Sequence, residues 1–209
     1  MAKSFWAANK TWLIPVLIVL GLTFIVIMWF VSAYNSLIIT RENVDTQWAN
    51  VETTYQRRLD LIPNLVETVA AFAEQEESVF TQVTAARAKV GQIKLSTDDL
   101  SDPARLRAFA TAQQELGGAL SKLLAVAERY PDLKSGENFL ALQDQLEGTE
   151  NRISVARRDF NTAVRSYNVK VQRIPTALVA NMFGFDKREF FEADEGAEAA
   201  PSINREDFA

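Results

Sequence analysis

The chain of 209 residues has no cysteine and no histidine, and its net charge is −5. The missing cysteine excludes disulfides, thiolate nucleophiles and cysteine-ligated metal centres, and the missing histidine removes the commonest general base. Residues 186–209 hold eight acidic and three basic side chains, so residues 1–185 are neutral and offer nucleic acid no electrostatic footprint.

The first predicted element is a membrane-spanning helix. No charged residue occurs from Thr11 to Thr40, and the run from Leu13 to Val31 is almost wholly aliphatic or aromatic. At 1.5 Å per residue this run makes a helix about 28 Å long, close to the roughly 30 Å hydrocarbon core of a bilayer. Leu13 and Val31 are therefore the predicted ends of the span.

Two other interpretations of this run stay open. A buried core helix of such length would normally show a polar face, which the run lacks. A cleaved secretory signal is supported by Lys3 and Lys10 before the run and by the small residues of Val31-Ser32-Ala33. The run is, however, longer than the usual signal core of about 7–15 residues.

The charges around the span predict its orientation. Lys3, Lys10 and the α-amino group precede it without any acid, whereas Arg41 is followed by Glu42 and Asp45. The positive-inside rule therefore favours a cytoplasmic N-terminus and an extracytoplasmic domain.

Four helical segments follow, each with apolar residues at 3–4 spacing. The first continues from the span without a glycine or proline until Pro63, which is expected to interrupt or kink it before it ends near Phe72. The others are predicted from about Glu76 to Ile93, from the start signal Asp102-Pro103 to Pro131, and from Gly136 to Ile174.

The segments predict an all-α fold, because proline and glycine stops separate them and no strand-like alternation accompanies them. We expect an N-terminal tail and transmembrane helix in residues 1–34, followed by an elongated antiparallel four-helix bundle in residues 35–191. The apolar residues 176–191 are expected to cap the bundle. Residues 192–209 form an acidic tail with the composition of disordered chain.

Some polar and small residues admit two interpretations. Gln113 lies in an apolar stripe and Asn151, Asn161 and Asn168 lie beside one, where polar groups fix helix register or bind a partner. The pair Gly117-Gly118 indicates either a close helix approach or a local break.

Candidate chemistry is sparse. The acidic groups Glu74, Glu76, Glu77 and Asp98, Asp99, Asp102 lack the calcium-loop pattern and are interpreted as helix caps. Ser166 and Lys170 share a helix face and could form a nucleophile–base pair, although this spacing is common on helix surfaces. We predict no catalytic residue, no metal site and no cofactor, and therefore no enzyme.

Several blocks occur in order along the chain: RRLDLIPNLV (57–66), LAVAERYPDL (124–133), LQDQLEGTENRI (142–153), ARRDFN (156–161), Tyr167-Asn168, Pro175 and Phe183-Gly184-Phe185. Together they resemble the LemA family of bacterial membrane proteins over about residues 34–191, with Phe160 where tyrosine is common. The resemblance implies a single N-terminal span and a long helical bundle, and it implies no settled catalytic residues. The acidic tail lies outside it.

These observations predict a membrane-anchored, non-enzymatic helical scaffold or interaction protein of the bacterial cell envelope, in the cytoplasmic (inner) membrane. The alternative is a regulator or substrate adaptor of a membrane protease that works through the tail. The expected partners are the membrane, other envelope or membrane proteins and a second copy of the chain. The candidate partner surface consists of five polar residues: Arg58, Asn64, Glu128, Glu150 and Arg157.

Overall fold

The computed structural model describes residues 10–192, which fold into helices joined by short turns. The α-helices are α1 (Lys10–Ala70), α2 (Glu77–Gln92), α3 (Pro103–Ala127), α4 (Pro131–Lys134), α5 (Glu137–Gln172) and α6 (Thr176–Phe183). Two 3₁₀ turns, Glu74–Glu76 and Asp98–Ser101, precede α2 and α3. No strand occurs within this range, which confirms the all-α prediction. The four long helices match the four predicted segments, and α4 and α6 are additional.

Among the residues that the structure describes, every residue of α1 from Trp12 to Trp29 is exposed. Over its most apolar 18-residue window none of the residues is buried, and burial begins only at Ala33. The side chains of Leu13 and Val31 are 42% and 48% exposed. The run is therefore not a core helix of this fold, and α1 is long and apolar enough to cross a membrane once.

The predicted interruption at Pro63 is wrong as a break, because α1 stays helical through this residue, and the kink stays a prediction. Proline has no N–H, so the carbonyl of Leu59, four residues earlier, loses its usual helical donor. Arg87 of α2 supplies a replacement, since its Nε donates to the Leu59 oxygen at 3.0 Å. A side chain from a neighbouring helix thus satisfies the group that proline leaves open.

The chain divides into two compact units. The first contains α1 up to Arg57 together with Asn151–Arg188. Its core is formed by apolar residues of α1 and α5, among them Leu37, Val44, Trp48, Val51, Ile153, Phe160, Val164 and Tyr167. Trp48 and Phe160 are both buried and meet edge to face, with ring centroids 5.6 Å apart. The predicted apolar stripes of α1 and α5 are therefore confirmed in this unit.

The second unit contains Arg58–Glu150 and the chain from Glu189. Its core combines the end of α1 with α2, α3, α4 and the start of α5, through residues that include Ile62, Val69, Val83, Leu116, Leu123, Leu133 and Leu146. Asp102 caps α3 as predicted, because its carboxylate accepts from the backbone N–H groups of Ala104 (2.9 Å) and Arg105 (3.3 Å). The single bundle domain of residues 35–191 stays a prediction.

The segment after α5 contributes to both cores. Val179 and Ala180 of α6 and the following Phe185 are buried in the first unit, and Phe191 is buried in the second. Gly184 ends α6 with φ +69°, a left-handed conformation that glycine adopts without steric cost. The acidic tail lies outside the described residues except for its first residue, Glu192.

Candidate functional site

Arg58, the first of the five candidate surface residues, is buried rather than exposed. Its side chain is 8% exposed and its Nη2 lies 3.2 Å from Oε2 of Glu150, whose side chain is 55% exposed. The structure thus brings two of the five candidates together as an ion pair at the edge of the second unit. Arg58 holds α1 to α5 in that unit and offers little surface to a partner.

The same arginine explains one of the two adjacent glycines of α3. A Cβ added to Gly117 would lie 3.1 Å from Nη2 of Arg58, whereas one added to Gly118 would meet nothing within 4 Å. Helix α3 runs through both residues without a break. Close approach therefore accounts for Gly117, the local-break interpretation is wrong, and nothing in the structure explains Gly118.

The other candidate residues remain accessible. Asn64, Glu128 and Glu150 are exposed in the second unit, and Arg157 is half-buried in the first. Glu128 forms an ion pair with Lys134 in which both side chains are more than half exposed. An exposed pair of this kind contributes about 0–1 kcal/mol to stability. Glu128 can therefore change charge with little effect on the fold, whereas Glu150 is the ion-pair partner of the buried Arg58.

The first unit also carries an open groove of about 450 Å³ between α1 and α5. It is lined by Gln47, Asn50, Thr53, Thr54, Asn151, Arg152, Val155, Ala156 and Asp159. Asn151 is the only one of these that sequence analysis singles out. The other polar residues were missed because exposed polar residues on a helix carry no periodic signal that distinguishes them from an ordinary solvated face.

The nucleophile–base pair of Ser166 and Lys170 does not form. The Ser166 hydroxyl donates to the carbonyl oxygen of Thr162 at 3.0 Å, and Lys170 Nζ donates to Oγ of Ser36 at 2.7 Å. Ser36 lies inside α1, where backbone N–H groups bond to carbonyls of the preceding turn and are not free to form an oxyanion hole. The Ser36–Lys170 contact is therefore a poor basis for acyl-transfer chemistry.

The acidic groups support turns and helix ends. Asp99 accepts from the backbone N–H of Ser96 (2.8 Å) and from its hydroxyl (2.9 Å), and these bonds lower the pKa of Asp99 below its usual value. Glu76 stands at the N-cap position of α2 but makes no side-chain capping bond, so the cap prediction is wrong for this residue, which instead forms an ion pair with Arg129 at 2.7 Å. Among the described residues no group of three or more acids is placed to hold a metal ion.

Asn168 and Gln113, which lie beside and in the predicted apolar stripes, differ in their hydrogen bonding. Asn168 is buried, and its amide makes two bonds to the backbone of Arg188: Nδ2 donates to the carbonyl at 2.8 Å and Oδ1 accepts from the N–H at 2.9 Å. Gln113 is also buried, but its amide has no hydrogen-bond partner among the described residues. Asn168 therefore fastens the C-terminal segment to α5, whereas Gln113 makes no such bond.

Comparison with known proteins places the chain in a family. A model of the LemA family matches residues 47–204, which extends into the acidic tail that the sequence blocks leave out. Magnetosome proteins MamQ 1 and MamQ 2 of Paramagnetospirillum magneticum are each 28% identical over 175 residues, covering 76% of this chain and 64% of the relative. MamQ of Magnetospirillum gryphiswaldense is 27% identical over 197 residues, covering 85% and 72%. The chain belongs to the LemA family.

Proposed function

We propose that the chain is a membrane-anchored, non-enzymatic interaction protein of the bacterial cell envelope, a scaffold that presents polar helix surfaces to other membrane proteins. The observation that carries this proposal is α1, whose uncovered apolar run passes without a break into the core of the first unit. A folded helical domain is thereby joined directly to a membrane anchor. Because no flexible linker separates Val31 from the buried Ala33, the folded domain is expected to keep a fixed position relative to the membrane.

The chemistry of the described residues supports binding rather than catalysis. Ser166 and Lys170 are bonded to other groups, and the acids Asp99 and Asp102 stabilise a turn and a helix start. The three relatives are named for the magnetosome and not for a reaction. Accessible charged residues such as Glu128 and Arg157 are then the natural contact points.

We further propose that the folded part lies on the extracytoplasmic side of the inner membrane. Lys3 and Lys10 precede the span without an acid, while Arg41 is followed by Glu42 and Asp45. The positive-inside rule places the more basic side in the cytoplasm.

A rival function assigns the activity to the acidic tail. Residues 186–209 carry the whole net negative charge of the chain, which suits a segment that a membrane protease or its regulator recognises. In that case the helical domain would only connect the tail to the membrane anchor. The two functions differ in a testable way, because only the adaptor requires the tail for its associations.

Photocrosslinking in native membranes tests the proposal. We expect the full-length protein with a photoreactive amino acid at Glu128 or Arg157 to form adducts with envelope or membrane proteins, through peptides of those proteins that face the extracytoplasmic side. The chain truncated after Glu192 should give the same adducts. Loss of the adducts on truncation would support the adaptor function. Adducts with cytoplasmic proteins alone would contradict the proposed orientation. If neither the full-length nor the truncated chain formed adducts, both functions would be contradicted.

A further inference from the structure

Helix α6 presents an apolar surface that the fold leaves uncovered. The side chains of Leu178 and Met182, one turn apart on the same face, are 66% and 69% exposed, and Ile174 just before the helix is 81% exposed. No charged residue occurs from Ile174 to Phe185. Apart from Thr176 and Asn181, α6 is apolar, and an exposed apolar face of this kind usually marks contact with a protein partner or with lipid.

The opposite face of α6 is packed against the first unit, which fixes the direction of the exposed face. Val179 and Ala180 are fully buried, and Phe185 after the helix is 6% exposed. The helix has only eight residues and is therefore about 12 Å long, far too short to cross a membrane. Because Val179 and Ala180 pack into the first unit, the face with Leu178 and Met182 points away from its core.

Ring contacts place α6 beside the end of the membrane span. The ring of Phe183 lies 5.8 Å from that of Phe30 and 4.8 Å from that of Tyr34, measured between centroids. Phe30 directly precedes Val31, the predicted end of the span. Because Phe30 belongs to the run that crosses the hydrocarbon, a helix packed on its ring lies at the boundary between acyl chains and headgroups. Tyrosine at this level is typical of a membrane interface.

One basic side chain, that of Lys170, lies where lipid phosphates are expected, and a second follows three residues later in the chain. Lys170 reaches Ser36, five residues beyond Val31 and therefore roughly 7–8 Å farther along the axis of α1. Arg173, close before α6, is exposed. Basic side chains beside an apolar helix face favour binding to anionic headgroups while the apolar residues enter the leaflet.

We propose that α6 is an interfacial membrane helix that inserts Ile174, Leu178 and Met182 into the leaflet from which α1 emerges. The first unit would then contact the bilayer at two places, through the span and through α6, so that its tilt on the membrane is restricted. This inference requires that α1 crosses a membrane, and it does not depend on the proposed scaffold function.

The cysteine-free chain allows a direct test on the full-length protein in lipid nanodiscs. Single cysteines at Leu178 and at Met182 carry a spin label, and collision rates with oxygen and with a water-soluble nickel chelate are measured. Val26→Cys in the span is the deep reference, and Val155→Cys, an exposed apolar position on α5 about 22 Å from Lys170 along the helix, is the aqueous reference.

The expected result is an oxygen-to-nickel collision ratio at Leu178 and Met182 that is several-fold above that at Val155 and below that at Val26. This corresponds to a depth of about 5–10 Å in the headgroup and acyl boundary. Ratios equal to that at Val155 would overturn the proposal. Low collision rates with both reagents, which indicate coverage by a second copy of the chain, would also overturn it. A Val26 label that is accessible to nickel would show instead that α1 does not span the bilayer.

Discussion

Replacing Phe160 by alanine is expected to lower the free energy of unfolding by about 3–5 kcal/mol. The Phe160 side chain is fully buried in the first unit, and its ring packs edge to face on Trp48 at 5.6 Å. The substitution removes the buried ring and leaves a cavity that the long helices α1 and α5 cannot easily fill. Urea unfolding of the full-length protein in detergent, followed by circular dichroism, measures the loss.

The matched control for Phe160→Ala is Val155→Ala on the same helix. Val155 is 48% exposed, so this change should alter stability by no more than about 0.5 kcal/mol. If Phe160→Ala also cost less than about 1 kcal/mol, the packing of Trp48 on Phe160 would be contradicted.

Replacing Asn168 by leucine is the second substitution with a large expected effect, a loss of about 2–6 kcal/mol of unfolding free energy. The size and shape of the side chain are nearly kept, but both bonds to the backbone of Arg188 are lost. The N–H and the carbonyl of Arg188 would each lose this partner at a buried site, at about 1–3 kcal/mol per unsatisfied group.

Hydrogen exchange distinguishes this local effect from general destabilisation. The amide of Arg188 should be protected in the native protein and should exchange much faster in Asn168→Leu, whereas amides in the middle of α3 should change little. Asn151→Leu, at an exposed position of the same helix, is the control and should leave both stability and exchange unchanged. Equal protection of Arg188 in Asn168→Leu would show that its amide does not depend on Asn168.

The span and the four long helices could be predicted because their signals are local. An uncharged apolar run identifies α1, and stop signals such as Pro131 and Pro175 lie close to the ends of the helices before them. Helix α6 was harder to recognise, since its eight residues TALVANMF are too few, and apart from Thr176 and Asn181 too uniformly apolar, to show a 3–4 stripe.

The errors arise where a distant side chain decides the local structure. Pro63 predicts an interruption of the helix, but Arg87 donates to the Leu59 carbonyl that proline leaves without a donor, and Arg87 lies 28 residues beyond Leu59 in the chain. Arg58 reads as a surface residue because arginine is seldom buried, yet Glu150 and the missing Cβ of Gly117 give it a place in the second unit. Such pairings depend on how the helices pack, which no local pattern encodes.

Candidate partner residues can be proposed but not ranked from the sequence. Exposed polar residues on helices are common, and a residue that contacts a partner resembles one that contacts water. The structure narrows the set by removing Arg58 and by showing that Glu128 and Arg157 are accessible enough to be changed.

Charge reversal at those two positions needs controls that alter the same number of charges. Glu115→Lys matches Glu128→Lys, because both acids lie on or next to α3 and each forms an exposed ion pair, with Lys89 and with Lys134 respectively. Arg165→Glu, at an exposed position on α5, matches Arg157→Glu. Glu115→Lys, Glu128→Lys and Arg165→Glu should shift the thermal midpoint by no more than a few degrees, because exposed charges contribute little to stability. Arg157 is half-buried, so circular dichroism must show that Arg157→Glu is folded before its association is measured.

Co-purification from native membranes with these four variants is the most direct test of the proposal that the protein works by binding other membrane proteins through its polar helix surfaces. We predict that Glu128→Lys and Arg157→Glu abolish the association of full-length protein with its membrane partner while folding is retained, and that Glu115→Lys and Arg165→Glu keep it. Undiminished association in Glu128→Lys and Arg157→Glu, with the protein folded and in the membrane, would contradict it.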